Sequence, residues 1–293
     1  MVRGMRSGTV SRGFIIRLLL FVGTVASLGF VPWPIVRGWL RPLPDSIQAQ
    51  VDEALDLGFT GALVCVDVAG QAPRSFASGW HDPAARIPAR PDALFKVASI
   101  EKLYRAVAVS KLVARRKLGL DSPLSALLPE LADRIEGADR ITLRMLVQHR
   151  SGIPNYTDTE GYWLAPPGTD AGNLALVLDR PADFEPGARF AYCNTNYLLL
   201  GWIMDRALGQ PHWAFIEEAI LDRLGLERTF ASERAVDPSE IMSGFHVGYP
   251  DDLKGAPVGM VASAADVARF VRALNDGSVF DAGERELYGS LYE

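Results

Sequence analysis

Residues 98–113 constrain the fold most. Apolar side chains at Ile100, Leu103, Ala106, Val107, Leu112 and Val113 recur at intervals of three and four, the period of a helix with one buried face. The helix predicted here carries Ser99 in its first turn and Lys102 three positions on, so the two side chains are neighbours on one surface. The unpaired N–H groups and positive dipole end of that turn favour negative charge at Ser99. A serine hydroxyl becomes a nucleophile when a base takes its proton, and a lysine serves as that base only where its surroundings favour the neutral amine. The S-x-x-K spacing meets the geometric half of that requirement. It also describes a helix-capping serine beside a solvated lysine, so the rest of the chain has to decide.

Upstream, a helix is predicted over 46–57, with Ile47, Val51, Ala54 and Leu55 on one face and Gly58 closing it. Residues 61–68 read as a buried strand and 74–80 as a second, with Ala69-Gly70-Gln71 turning between them. Cys65 falls in the first strand as a small core residue. A crossing loop rich in Pro and Ala follows at 81–94. Short helices are predicted to 131 and over 141–147, the latter stopped by Ser151-Gly152-Ile153-Pro154. Helices lying between strand segments imply an α+β fold: an antiparallel sheet flanked by helices, with a helical subdomain at about 85–190.

Residues 155–183 form a long loop rich in Gly, Pro and Asp, a composition common in binding-cleft walls, with Tyr156, Tyr162 and Trp163 as candidate lining. Beyond it, Pro186-Gly187 marks a turn and Tyr197 begins an apolar helix. Tyr192 and Asn194 stand just ahead of that helix; a phenol can relay a proton and an amide can hold a substrate carbonyl. Ser263-Ala-Ala-Asp266 is a capping box for a helix ending near Leu274 and Gly277.

Formal charge is −5, from 30 basic and 35 acidic residues, but the first 44 residues hold six arginines and no acid, leaving 24 basic and 35 acidic residues in the remainder. An acidic body without a basic stripe argues against nucleic-acid binding. In residues 1–44, Arg3, Arg6, Arg12 and Arg17 precede an apolar stretch over 18–31, the form of a signal peptide or an uncleaved membrane anchor followed by a Pro-rich linker. The body, 45–293, is then expected outside the cytoplasmic membrane, periplasmic or extracellular. Two cysteines make no disulfide framework, and four scattered histidines show no metal-ligand spacing, so no metal or cofactor is expected.

In order along 45–275, Phe95-Lys-Val-Ala-Ser99-Ile-Glu-Lys102, Leu146-Val-Gln-His149-Arg-Ser-Gly152-Ile-Pro154, Pro186-Gly187 leading to Tyr192-Cys193-Asn194, and Gly259-Met-Val-Ala-Ser263-Ala-Ala-Asp266 resemble the serine β-lactamase and D-alanyl-D-alanine carboxypeptidase superfamily, in its class C-like branch that includes esterases. The resemblance implies Ser99 as the acylated nucleophile, Lys102 and Tyr192 as the proton-transfer pair, Asn194 as a substrate-orienting amide, and the Ser99 N–H as half of an oxyanion hole. Cys193 takes a place usually held by Ser or Ala, and Arg150 one usually held by Thr.

The family also carries K-T-G or H-x-G on a strand after the Ser263-type helix. That strand is absent from this sequence, and His246-Val247-Gly248 matches the letters but precedes Ser263. The C-terminal strands are therefore expected to be missing, through truncation or degeneration. The leading expectation is an exported serine hydrolase acting on a D-Ala peptide of peptidoglycan, a β-lactam or a small ester. The alternative is a noncatalytic or truncated relative that keeps the cleft for binding.

Overall fold

A computed structural model describes residues 12–246, 251–255 and 259–291. The chain divides into two compact units, residues 1–50 and 51–293.

In the first unit, α1 (Arg12–Leu28) and α2 (Trp33–Leu40) follow one another. Among the described residues no single helix is long and apolar enough to cross a membrane; Ile16–Leu28 and Trp33–Leu40 meet that requirement only as a pair bent by 78°. The sequence predicted a linker where α2 forms. Pro34 is tolerated there because it occupies the first turn, whose N–H groups have no intrahelical acceptor. On α2, Ile35 and Trp39 fall on the side opposite Arg37, whose own side holds Trp33 and Leu40 one turn away in either direction.

The helix predicted over 46–57 forms across the boundary at residue 50. Helix α3 (Ile47–Glu53) tightens into a 3₁₀ turn to Leu57 and ends at left-handed Gly58. Strands β1 (Gly61–Val66) and β2 (Arg74–Asp82) pair antiparallel from Gly61 with Gly79 to Val66 with Arg74. A bulge between Trp80 and Asp82 then turns the chain into the short β3 (Ile87–Pro88). β4 (Leu94–Lys96) leads to α4 (Glu101–Ala114), and α5 (Leu124–Leu127), α6 (Leu143–Val147) and α7 (Asp170–Ala175) follow. Helix α8 (Asn194–Leu208) is capped by left-handed Gly209 and followed by α9 (His212–Ile216), β5 (Thr229–Phe230), β6 (Val261–Ser263), α10 (Ala264–Asp276) and α11 (Glu284–Gly289).

The described strands form two three-stranded sheets, β1-β2-β3 and β4-β6-β5, where the sequence suggested one. The bulge after Trp80 takes the chain off the first hairpin, and β4 instead finds its partner 165 positions later, with Leu94 opposite Ser263 and Lys96 opposite Val261. β6 runs directly into α10, where Ser263 accepts the Asp266 N–H at 3.1 Å, and α10 packs across β1 and β2. Residues 155–183 are less irregular than predicted, because Thr169 accepts the Gly172 N–H and starts α7.

The main core lies among the helices. Tyr104, Val107 and Leu112 of α4 share one buried cluster with Leu199, Leu200 and Ile203 of α8 and Phe270 of α10. Tyr104 stacks on Phe270 with ring centroids 3.6 Å apart, so the helix that follows Ser99 is clamped to α10. Lys111 of α4 is also buried, paired with Glu284 of α11.

Candidate active site

Ser99 does not sit in the first turn of α4. It occupies a separate 3₁₀ turn, Ala98–Ile100, ahead of it. Ala98 has φ +44, a left-handed conformation that disfavours a residue with a Cβ by about 1–3 kcal/mol and persists where surrounding contacts over-determine it. Here the contact lies one residue beyond the paired β4 and β6: the Val97 N–H donates to the Met260 carbonyl at 3.1 Å, fixing the chain just before the turn. The kink leaves Ser99 exposed. The Ile100 N–H donates to the Val97 carbonyl, and the Ser99 N–H lies ahead of that first bonded donor.

Lys102 Nζ donates to Ser99 Oγ at 3.4 Å, as the three-residue spacing requires. Tyr192, 93 positions away, brings its hydroxyl to 2.7 Å from the same Oγ. Lys102 Nζ sits 5.2 Å from the centre of the Tyr192 ring and 5.8 Å from that of Tyr197, over the faces of both. Two of the three residues are local neighbours; the third arrives through tertiary structure.

Residues 146–154 deliver it. His149, at φ +56, accepts the Ala191 N–H on its carbonyl at 2.9 Å and the Cys193 N–H on Nδ1 at 3.1 Å. Its ring lies 4.6 Å from that of Tyr192 and 5.0 Å from that of Tyr197. Burial, then the nearby Lys102 charge, pull His149 down to about 4. Next to it, Arg150 accepts the Gly187 N–H on its carbonyl and donates Nη2 to the Gly187 carbonyl, which gives the arginine a part in holding the Pro186-Gly187 turn. Ser151 donates to Asn196 Oδ1 at 2.6 Å, and Tyr197 donates to the Val147 carbonyl at 3.2 Å. Cys193 is buried, its thiol donating to the Ile153 carbonyl at 3.3 Å, and burial pushes that thiol up.

Asn194 is the first residue of α8, not part of the connection before it. Its side-chain nitrogen donates to Thr157 Oγ1 at 3.1 Å and to Asn155 Oδ1 at 3.3 Å, and its backbone N–H donates to Asn155 Oδ1 at 2.9 Å. The amide donor is thus engaged by the chain itself, leaving the carbonyl oxygen as the atom available to a ligand. The same contacts anchor an aromatic run: the Tyr156 N–H donates to Thr195 Oγ1, Tyr156 meets Tyr162 at 5.4 Å, and Tyr162 meets the exposed Trp163 edge-on at 5.2 Å. Phe190 is exposed as well, two positions before Tyr192.

Among the described residues no group of three or more His, Cys, Asp or Glu side chains could hold a metal ion. His81 bonds the Ser239 carbonyl and His212 bonds Asp205. His246 is exposed; Val247 and Gly248, the rest of the candidate third motif, lie outside the described residues.

The β-lactamase family model matches residues 45–290. This chain belongs to the β-lactamase family. Its relatives include the esterase EstB of Burkholderia gladioli, 30% identical over 83% of this chain and 66% of the relative, and a β-lactamase of Pseudomonas fluorescens, 28% identical over 79% and 60%. The crystal structure of D-amino acid amidase from Ochrobactrum anthropi superimposes with a TM-score of 0.71 at 25% identity, covering 82% of this chain and 72% of the amidase. This family member spans between one third and two thirds of the length of the curated relatives it matches. His149, which the sequence shows only as part of a motif, is a site neighbour to which the sequence assigns no role. Its signal was its position in the 146–154 block; what it touches depends on residues 191–197.

Proposed function

We propose that this β-lactamase-family chain hydrolyses an amide or ester through a covalent intermediate on Ser99. The observation that carries this is the convergence on Ser99 Oγ of the Tyr192 hydroxyl at 2.7 Å and the Lys102 amine at 3.4 Å. In the first step Oγ bonds to the substrate carbonyl carbon while its proton passes to the Lys102–Tyr192 pair. The carbonyl oxygen becomes an oxyanion facing the Ser99 N–H. When the tetrahedral species collapses, the pair returns the proton to the departing amine or alcohol. Water then adds to the acyl carbon, giving one proton to the same pair, and Ser99 leaves with that proton. Every proton transfer uses side chains and water alone.

The relatives named as esterase, amidase and β-lactamase support a small acyl compound as substrate: a simple ester, a D-amino acid amide or D-Ala peptide, or a β-lactam. Asn194 Oδ1 is placed in this reading as an acceptor for the substrate's amide N–H. The test is labelling of the purified chain with a fluorescent penicillin and with 4-nitrophenyl acetate, followed by peptide mapping. Label on Ser99 that disappears in Ser99→Ala supports the reading. Label that persists undiminished in Ser99→Ala removes the nucleophile and with it the hydrolase.

The same proposal puts the body outside the cytoplasmic membrane, held or delivered by the first unit. Arginines precede the apolar stretch, side chains from Ile16 to Leu28 are exposed, and α2 sets the exposed Ile35 and Trp39 opposite Arg37, a pattern suited to the lipid interface. A reporter fused after Glu293 that is active only in the cytoplasm would overturn this location.

A further inference from the structure

We infer that His149 is a positioning residue: by taking the backbone N–H on each side of Tyr192 and backing the phenol ring, it holds the Tyr192 hydroxyl on Ser99. The inference rests on the acyl-serine reading for its consequence in rate, but the contact itself is independent of that reading.

Tyr192 lies in an extended connection with no helix or strand of its own, and the residue is 45% exposed. A phenol on such a segment would sample several rotamers and backbone positions. Three of the restraints on it come from one residue. The Ala191 N–H donates to the His149 carbonyl at 2.9 Å, the Cys193 N–H donates to His149 Nδ1 at 3.1 Å, and the imidazole lies 4.6 Å from the phenol ring at 34°. Because Cys193 is buried, its N–H would be left without an acceptor if Nδ1 were removed, and the segment would have to move to satisfy it.

Nδ1 accepts only when it carries no proton, so the bond fixes the neutral ring in its Nε2–H form. The groups facing the ring agree with that state. They are Lys102 from α4, Tyr192 and Cys193 from the connection, and Tyr197 from α8, with Phe190 edge-on at 5.9 Å. The only cation among them is Lys102, which opposes a second charge. A proton-shuttling role is unsuitable for a ring whose Nδ1 lone pair is occupied by a backbone donor. The left-handed backbone at His149 narrows the choice of side chain further, because Asn, Asp and His enter that region more readily than others.

Two variants separate these elements. In His149→Asn the side-chain oxygen stands where Nδ1 was and the backbone conformation stays accessible. In His149→Phe the ring remains but the acceptor is lost. Acylation of Ser99 by a fluorescent penicillin, measured over a range of probe concentrations, is expected to slow about 100-fold in His149→Phe, the size of effect that misplacing a catalytic group by about 1 Å produces. Half-saturation should move little, and His149→Asn should recover to within about tenfold of the wild-type chain. Equal rates in His149→Phe and the wild-type chain, or His149→Asn no faster than His149→Phe, would overturn the inference. Long-range ¹H–¹⁵N spectra of the full chain give a readout that needs no activity and survives misfolding of either variant. The Nε2–H tautomer is expected between pH 5 and 8, and the Nδ1–H tautomer refutes the contact. Absence of Ser99 labelling in the wild-type chain counts against the hydrolase, while the tautomer still decides His149.

Discussion

The ion pair between Lys111 and Glu284 offers a quantitative test of how α4 is held. Lys111 Nζ lies 2.7 Å from Glu284 Oε2, and the two side chains are only 1% and 4% exposed. The same Oε2 accepts the Asp281 N–H at 2.8 Å. Lys111→Met keeps most of the aliphatic stem but leaves a buried carboxylate with one backbone donor. A hydrogen bond to a charged group contributes about 1.5–3 kcal/mol, and stranding a buried charge raises the total loss to about 3–5 kcal/mol. For a body of this size that corresponds to a fall in Tm of roughly 10 °C. Adding Glu284→Gln removes the stranded charge while keeping an oxygen for the Asp281 N–H, so the double variant should recover about 1–3 kcal/mol. Urea unfolding of the full chain measures this through the midpoint at unchanged slope. A loss below about 1 kcal/mol in Lys111→Met, or a double variant less stable than the single one, would refute the reasoning.

Three further outcomes follow from the site. Tyr192→Phe removes the hydroxyl at 2.7 Å from Ser99 and should lower the acylation rate by about 10²–10⁴ with little change in Tm, checked by single-turnover labelling and thermal melts. Gly152→Ala must place a Cβ 2.0 Å from the Phe184 carbonyl oxygen at φ +79, so stability should fall by at least about 2 kcal/mol, read by urea unfolding; an unchanged midpoint would contradict the described backbone. Because His149 is held near 4 in the folded state, below its ordinary value of 6.5, the unfolded chain binds more protons between those values. That contribution to stability is full above pH 6.5 and lost as pH falls towards 4. His149→Asn should reduce the slope across this window in denaturant midpoints measured across pH, and His212, also lowered first by burial, contributes slope of the same sign.

Much of the fold was legible because its signals are local. Helical periodicity identified α4, Gly58 and Gly277 marked helix ends, the Ser263–Asp266 box marked a start, and the β1–β2 hairpin followed from two strand-like runs around a short turn. The errors fall where a distant contact overrides a local preference. Ala98 is left-handed because Val97 is tied to Met260, so Ser99 lies in a 3₁₀ turn that no propensity indicates. The helix predicted from Tyr197 starts at Asn194, whose backbone N–H finds an acceptor in Asn155, 39 positions away.

The sequence by itself determined the Ser99–Lys102 pair, since residues three apart at the head of a helical segment must be neighbours whatever the rest of the chain does. It also determined the acidic character of the body, but it pointed to one buried face of α4 where the structure buries Ala106 to Leu112 all round, Ser110 and Lys111 included. Only the tertiary structure decided that Tyr192 meets Ser99, that Asn194 gives its amide donor to Asn155 and Thr157, and that His149 holds the Tyr192 segment. Those contacts join segments 37 to 93 positions apart. Their geometry is fixed by the packing of α4 against α8 and α10 and by backbone donors in search of acceptors, neither of which leaves a periodicity for the sequence to display.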